Sequence, residues 1–483
     1  MASVPNLLII MTDEHNPQIS GPYGDTGVYT PSLDRLASEG VTFENAYCNS
    51  PLCVPSRMSF MTGRYVHHLE AWDNGAILPS DQPTWAHRLE AAGYETALIG
   101  KMHFQGPDQR HGFRSRPVAE IHGGGPLGDL PPWRPQDGRP LEMPEVLPGT
   151  SPMRRRVLGA GPGRSINIAY DESVRDATMD FLGARRLGSG APPFAVCASF
   201  ISPHFPLVAP PEEFARYWPD KIGAPALPVG SHPFHRRLIE HFDLEGFSPE
   251  QVLRARAAYY GLVTFVDRLI GDIVDTLDAC GLGEDTLVVY TADHGEMLGE
   301  HGLWWKCNFY EPSVRVPLIL RLPGRLPRGE RRAQVCSLVD LIPTMLDYAG
   351  VHHEPIPEES SDGLDGDSLV EVINAPGSPA ALAWKDEAFS EYHAHAAVHP
   401  MCMLRRGRWK LNYVLDEPPE LYDLAADSGE TDNLAERTEY RGVRAAMIRR
   451  VLSHWPARAL EVRRAEQLRA RRVLASSRWS REH

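Results

Sequence analysis

Short apolar runs that end on a charged or imidazole side chain recur along this chain. Residues 7–10 lead into Asp13, residues 96–100 into Lys101 and His103, residues 194–202 into His204, and residues 287–292 into Asp293 and His294. Apolar runs of this length predict buried parallel strands, and 316–322 predicts another. Between them, residues 84–92, 166–186, 249–280 and 337–350 place apolar side chains three and four apart, which predicts helices, the longest at 249–280. Pro31 opens a further helix and Gly40 closes it. Residues 104–165 are rich in Gly, Pro and Arg with little periodicity and predict a long loop region. After a Glu/Pro/Ser/Gly-rich stretch at 353–380 the pattern changes. Residues 388–393, 401–405 and 409–414 predict antiparallel strands, with Arg406-Gly407 as a turn. From about residue 439 a single helix is predicted, becoming basic towards its end. The expected fold class is therefore α/β: a large mixed, mostly parallel sheet sandwiched by helices over 1–375, with a smaller α+β domain over 376–483.

Length and composition sharpen this only in part. At 483 residues the chain exceeds what one core usually supports, consistent with two domains. A net charge of −14 argues against a nucleic-acid partner. The 41 glycines and 43 prolines predict long ordered loops, where sites are commonly built. No apolar run is long enough to span a membrane, and the start of the chain has no basic leader, so the cytoplasm is the expected location. The seven scattered cysteines lack a Cys-x-x-Cys pair, which argues against a zinc ribbon or disulfide framework.

The candidate chemistry centres on residues 49–64, where Cys53 precedes Pro55 and Ser56 at the start of a predicted helix. Unpaired N–H groups at a helix N-terminus stabilise an anion, and Arg57, one turn in, can reach back to the same spot. Asp13 and Asp293, arriving from distant strands, offer two carboxylates to a hard divalent cation. Arg57, Lys101 and Lys306 suit a tetrahedral oxyanion, and His103, His204 and His294 suit proton transfer. Taken singly, Asp13 is as readily a turn or cap aspartate, a lone Lys or His after a strand is more often a solvated loop residue, and a lone Cys-x-Pro is more often a buried cysteine before a capped helix. There is no His-Glu-x-x-His and no EF-hand spacing.

The string Cys53-Val54-Pro55-Ser56-Arg57, followed by Thr62-Gly63-Arg64, resembles the signature of type I sulfatases of the alkaline phosphatase superfamily. Gly100-Lys101-Met102-His103 and Thr291-Ala292-Asp293-His294-Gly295 extend the likeness over about 4–350. It is greatest to the choline sulfatase branch, carried by Tyr47–Cys53, Trp72-Asp73-Asn74, Gly302-Leu303-Trp304-Trp305-Lys306 and Ser390-Glu391-Tyr392. The resemblance implies that a formylglycine-generating enzyme oxidises Cys53 to formylglycine, whose hydrate attacks sulfur and later expels sulfate. It implies that Asp13, Cys53, Asp293 and His294 surround a divalent metal, Ca²⁺ first, with Mg²⁺ or Mn²⁺ as alternatives. Arg57, Lys101 and His103 would hold the formylglycine and sulfate. Asn74, His204 and Lys306 would bind sulfate oxygens, one of the last two assisting the leaving group. Glu14 stands where many sulfatases have a metal-binding Asp and choline sulfatases a Gln, so it either reaches the metal or hydrogen-bonds beside it. Glu391 and Trp479 would be walls of a cation pocket, with Trp133 the one aromatic residue of 120–133. The implied substrate is a small organic sulfate ester such as choline sulfate, and a homo-oligomer is the expected assembly. Two rival readings stand beside it: a phosphonate monoester or phosphodiester hydrolase on the same kind of centre, and a binding protein whose Cys53 remains a thiol.

Overall fold

The strand that leads into Asp13 lies at the centre of the molecule. The computed structural model describes residues 4–123, 133–144, 151–186, 191–351 and 363–482, with side chains in the last helix described to residue 473. Asn6–Asp13 is flanked in parallel by Phe194–Pro203 on one side and Thr286–Ala292 on the other. Seven of its eight residues are buried, as expected for a strand covered on both faces. Glu95–Gly100 and Ser115–Val118 extend the sheet in parallel beyond Phe194–Pro203. On the opposite side Leu318–Arg321 runs antiparallel, followed by Val41–Tyr47 and Glu330–Ser337, giving nine strands with the short Arg315–Val316.

Helices cover both faces. Pro249–Ala279, opened by a Ser248/Gln251 capping box, packs with Ile166–Arg186 and Pro31–Glu39 on one side. Cys53–Thr62, Trp85–Ala91 and Leu338–Tyr348 pack together on the other. The mixed, mostly parallel sheet sandwiched by helices is thus the architecture observed, with a second sheet at the C-terminal end. There Glu387–Tyr392, Met401–Arg406, Trp409–Val414 and Glu420–Asp423 form an antiparallel meander. No helix among the described residues is long and apolar enough to cross a membrane.

Three local expectations are corrected. Within the stretch read as loop, Ser115–Val118 is a strand and Pro152–Leu158 a helix capped by the Ser151 hydroxyl. The turn at the second hairpin is Gly407-Arg408, with Gly407 at φ +52° supplying the left-handed residue. The terminal helix is two helices, Arg441–Leu452 and Ala457–Glu482, because Pro456 cannot continue the first and Trp455 turns into the core. Its arginines fold back on the chain: Arg471 pairs with Asp73, and Arg464 donates to the Ala397 carbonyl.

Candidate active site

The parallel strands all point their carboxyl ends at one place, where open α/β sheets bind ligands. Because Thr12 and Ala292 are register partners, Asp13 and Asp293 emerge side by side. Lys101 follows Glu95–Gly100 and His204 follows Phe194–Pro203. Gly100 has φ +110°, and a Cβ there would lie 2.1 Å from the Ser199 carbonyl oxygen, so only glycine lets the chain turn so close to the neighbouring strand. Glu14, His103, Trp305 and Cys307 also adopt positive φ without being glycine. Such conformations are costly and cluster at functional sites.

Cys53 is the first residue of the helix Cys53–Thr62, two positions earlier than the sequence suggests. The Val54 N–H of its first turn donates to Asn74 Oδ1 at 3.0 Å. His294 Nε2 lies 3.2 Å from Cys53 Sγ, and His294 Nδ1 is 3.1 Å from the Gly295 carbonyl oxygen. A carbonyl oxygen can only accept, so Nδ1 carries the proton and Nε2 presents its lone pair to residue 53. The resemblance puts both residues around one metal, while the local sequence has no signal that the imidazole turns to the sulfur. Burial, together with Asp13 and Asp293, pushes the Cys53 thiol up to about 12.

Arg57 is placed differently from expectation. Its Nε donates to Asp293 Oδ2 at 2.7 Å and its Nη2 to Asp13 Oδ2 at 2.9 Å. Nη1 donates to the Lys101 carbonyl oxygen at 2.8 Å and to Ser199 Oγ at 3.0 Å. With every nitrogen engaged behind the carboxylates, Arg57 is absent from the cavity wall and orients the two acids instead. Lys101 Nζ pairs with Asp13 Oδ2 at 2.7 Å, and Lys306 Nζ with Glu14 Oε1 at 3.1 Å. Despite their burial, the nearby anions hold both lysines above the ordinary ammonium range. His204 Nδ1 is 2.7 Å from the Phe205 carbonyl oxygen, while its Nε2 faces Glu14 Oε2 at 3.4 Å. Burial, then Lys306, lowers its pKa, so it is held neutral.

Asp13 Oδ1 and both Glu14 oxygens are buried and accept no well-aligned hydrogen bond, the Lys306 contact with Glu14 being an ion pair only. Burial drives the Glu14 carboxyl up to about 8, against the pull of Lys306. Buried carboxylates in this state call for a cation. Asp13, Cys53, Asp293 and His294 offer ligand atoms within 4.8 Å of one another, as do Asp13, Glu14 and His204. The oxygen-rich donor set fits a divalent cation such as Ca²⁺ or Mg²⁺.

In front of these groups opens a cavity of about 350 Å³. Of the expected site residues, Cys53, Asn74, Lys101, His103, His204 and Lys306 line it. Glu391 does not. It is fully buried, accepts from the His67 N–H at 3.1 Å and from Trp455 Nε1 at 2.8 Å, and sits 2.6 Å from His67 Nδ1 and 3.2 Å from His393 Nε2. A carboxylate so enclosed has no edge left for a substrate cation. The side chain of Trp479 lies outside the described residues, and Trp133 packs edge-on against Tyr170.

Several lining residues had no signal strong enough to be found from sequence. Phe205 and Phe242, beside Trp305 of the 302–306 motif, give the wall aromatic surface, and His122 and Arg156 approach from the stretch read as loop. Two buried acids hold the site's loops. Glu120 Oε2 accepts from the Met102 and His103 N–H groups at 3.1 and 2.7 Å. Glu296 Oε1 accepts from the Leu298 and Trp305 N–H groups at 2.8 and 2.6 Å.

Comparison with known proteins places this geometry in a family. Residues 5–351 match the family described as Sulfatase, and residues 299–455 match the C-terminal family of N-sulphoglucosamine sulphohydrolase. A choline-sulfatase of Rhizobium meliloti (strain 1021) is 34% identical over 479 residues, 95% of this chain and 88% of that protein. Arylsulfatase K of Mus musculus is 30% identical over 454 residues, 89% of this chain and 76% of that protein. A phosphonate monoester hydrolase from Silicibacter pomeroyi has a similar structure, with TM-score 0.74 and 26% identity over 93% of this chain and 95% of that one. The chain belongs to the sulfatase family and is a sulfuric ester hydrolase.

Proposed function

We propose that this protein hydrolyses sulfate monoesters of small organic alcohols at residue 53, after oxidation of Cys53 to formylglycine by a maturation enzyme. The observation that carries the reading is the placement of Cys53: on the cavity wall, at a helix N-terminus, with His294 Nε2 beside it. The formylglycine hydrate would supply an oxygen nucleophile, and a divalent cation, which Asp13, Glu14 and Asp293 would hold, would supply positive charge to the reacting centre. The residues of the chain do the rest. His294 Nε2, with its lone pair turned to residue 53, takes the proton from that side chain. Lys101 and Lys306 keep their protons and bind the sulfate oxygens. Asn74 steadies the first turn of the helix, and Arg57 fixes Asp13 and Asp293. His204 and His103 face the leaving-group side, His204 neutral and able to exchange a proton at Nε2.

Choline sulfate is one candidate ester, and Phe242 and Trp305 are the aromatic faces that the cavity would offer its cation. None of the described lining residues is acidic, and Phe205 already carries Arg156 at 3.6 Å and Lys306 at 4.8 Å from its ring centroid. A quaternary ammonium needs an aromatic face or carboxylate free to receive it. The second reading, phosphonate monoester hydrolysis, is favoured by the likeness to a phosphonate monoester hydrolase in structure. Turnover of 4-nitrophenyl sulfate and 4-nitrophenyl phenylphosphonate separates the two. A higher kcat/KM on the sulfate is expected, and a higher value on the phosphonate would replace the first reading with the second.

The seven cysteines include no disulfide among the described residues, which fits a reducing compartment such as the cytoplasm. A homo-oligomeric state is proposed on the resemblance alone.

A further inference from the structure

Arg156 stands on the cavity wall, on the helix Pro152–Leu158, with its guanidinium 3.6 Å from the centroid of the Phe205 ring. Its one described side-chain contact is with that aromatic face, and no described residue lining the cavity is acidic. The guanidinium is partly buried and lines the same cavity as Cys53, Lys101 and Lys306, so it stands near the reacting centre rather than in bulk solvent. Stacking one face on Phe205 leaves the in-plane N–H donors of the fork for a partner. A planar acceptor in that plane completes the geometry.

Charge points the same way. Asp13, Glu14 and Asp293 are matched in number by Arg57, Lys101 and Lys306, which lie against them. Arg156 is surplus to that balance. With the proposed divalent cation added, the centre is more positive than the single charge of a sulfate monoester requires, and Arg156 adds to that excess with no acidic residue facing it among the described lining residues. We infer that the alcohol half of the substrate carries a carboxylate, and that Arg156 receives it and sets the choice among sulfate esters. This inference rests on the sulfatase reading for the orientation of the substrate, with the sulfate inward and the alcohol half towards Arg156.

The test separates the two. In a Cys53→Ala background, where esters stay intact, calorimetry gives Kd for 4-carboxyphenyl sulfate and for its methyl ester, with Arg156, Arg156→Met and Arg156→Lys. A charged hydrogen-bonded pair of this kind corresponds to about a tenfold to hundredfold preference for the acid. Arg156→Met should bring the ratio close to one, and Arg156→Lys should restore part of it. A ratio near one with Arg156 present, or a ratio that survives Arg156→Met, overturns the inference. Release of sulfate from the same esters by the matured enzyme tests the underlying reading independently. Turnover without the carboxylate preference sinks the inference alone, and the preference without turnover sinks the sulfatase reading alone.

Discussion

At the scale of single residues, the site is organised by carboxylates that need positive charge. Arg57 bridges Asp13 and Asp293 from behind, yet Asp13 Oδ1 still receives no hydrogen bond. Like charges this close, both buried, would otherwise repel and protonate. The remaining open position is what a cation would fill. Asp293→Asn removes one charge from the proposed ligand set and one partner from Arg57. Metal affinity and sulfate release should fall together, by about 10- to 100-fold. Elemental analysis of the purified variant alongside its kinetics checks this, and full activity in metal-stripped enzyme would contradict it. Breaking a buried ion pair also costs on the order of 3–5 kcal/mol, so a lower melting temperature is expected in the same variant.

At the scale of elements, the strands deliver the groups and buried acids aim the loops that follow them. Glu120 reaches the Met102 and His103 N–H groups and is itself held by Arg116 Nη2 at 2.9 Å. Glu120→Ala should lower kcat/KM by up to about 10²-fold through misplacement of Lys101 and His103. Bound metal should stay at the wild-type level, since Glu120 is outside the proposed ligand set. Equal kinetics in the two proteins would show that this loop needs no clamp. The strand ends were legible because fully buried strands read as continuous apolar runs, so a polar residue closing such a run stands out. The cysteine motif was legible for a similar reason: its spacing is local. What failed to read was tertiary. Pro152–Leu158 contains three consecutive arginines among few apolar residues, so its helical period is masked, and Arg156 was lost with it. Glu391 lies in a strand whose sequence, Glu-Ala-Phe-Ser-Glu-Tyr, suggests one wet face, yet all six residues are buried. The short helix at Val66–Leu69 and the Trp455 corner enclose it, and neither is adjacent in sequence.

At the scale of the molecule, the C-terminal sheet is part of the active-site scaffold. Asn49, four residues before Cys53, donates to the Phe389 carbonyl oxygen, and the Glu391 N–H donates back to the Asn49 carbonyl oxygen. We therefore propose that the division near residue 375 is one of architecture and not of independent function. Deletion of 376–483 should abolish sulfate release even if the remainder stays soluble, and an active truncated enzyme would disprove this. The same junction predicts a pH dependence of stability. Burial opposes its charge, but His67 and His393 hold the Glu391 carboxyl below its ordinary 4.5, so its contribution is present above that pH and lost on acidification. Glu391 in turn holds His67 above 6.5 despite burial, so that contribution is present below 6.5 and lost as pH rises through the raised value. His393, lowered below 6.5 by burial, opposes on the acid side. The melting-temperature gap between wild type and Glu391→Gln should be widest between about pH 4.5 and 6.5 and narrower at pH 8. A gap that is flat with pH would mean that the pair is not ionised.

All of this chemistry presupposes that residue 53 no longer carries a thiol in the working enzyme. Buried beside Asp13 and Asp293, an unmodified Cys53 would hold its proton to about 12 and make a poor nucleophile. The most direct measurement is the mass of the proteolytic peptide containing residue 53, taken from protein that is releasing sulfate. The account predicts a peptide in which sulfur has been replaced by the aldehyde oxygen, in proportion to the specific activity. A fully active preparation in which that peptide is found only as unmodified cysteine would contradict it.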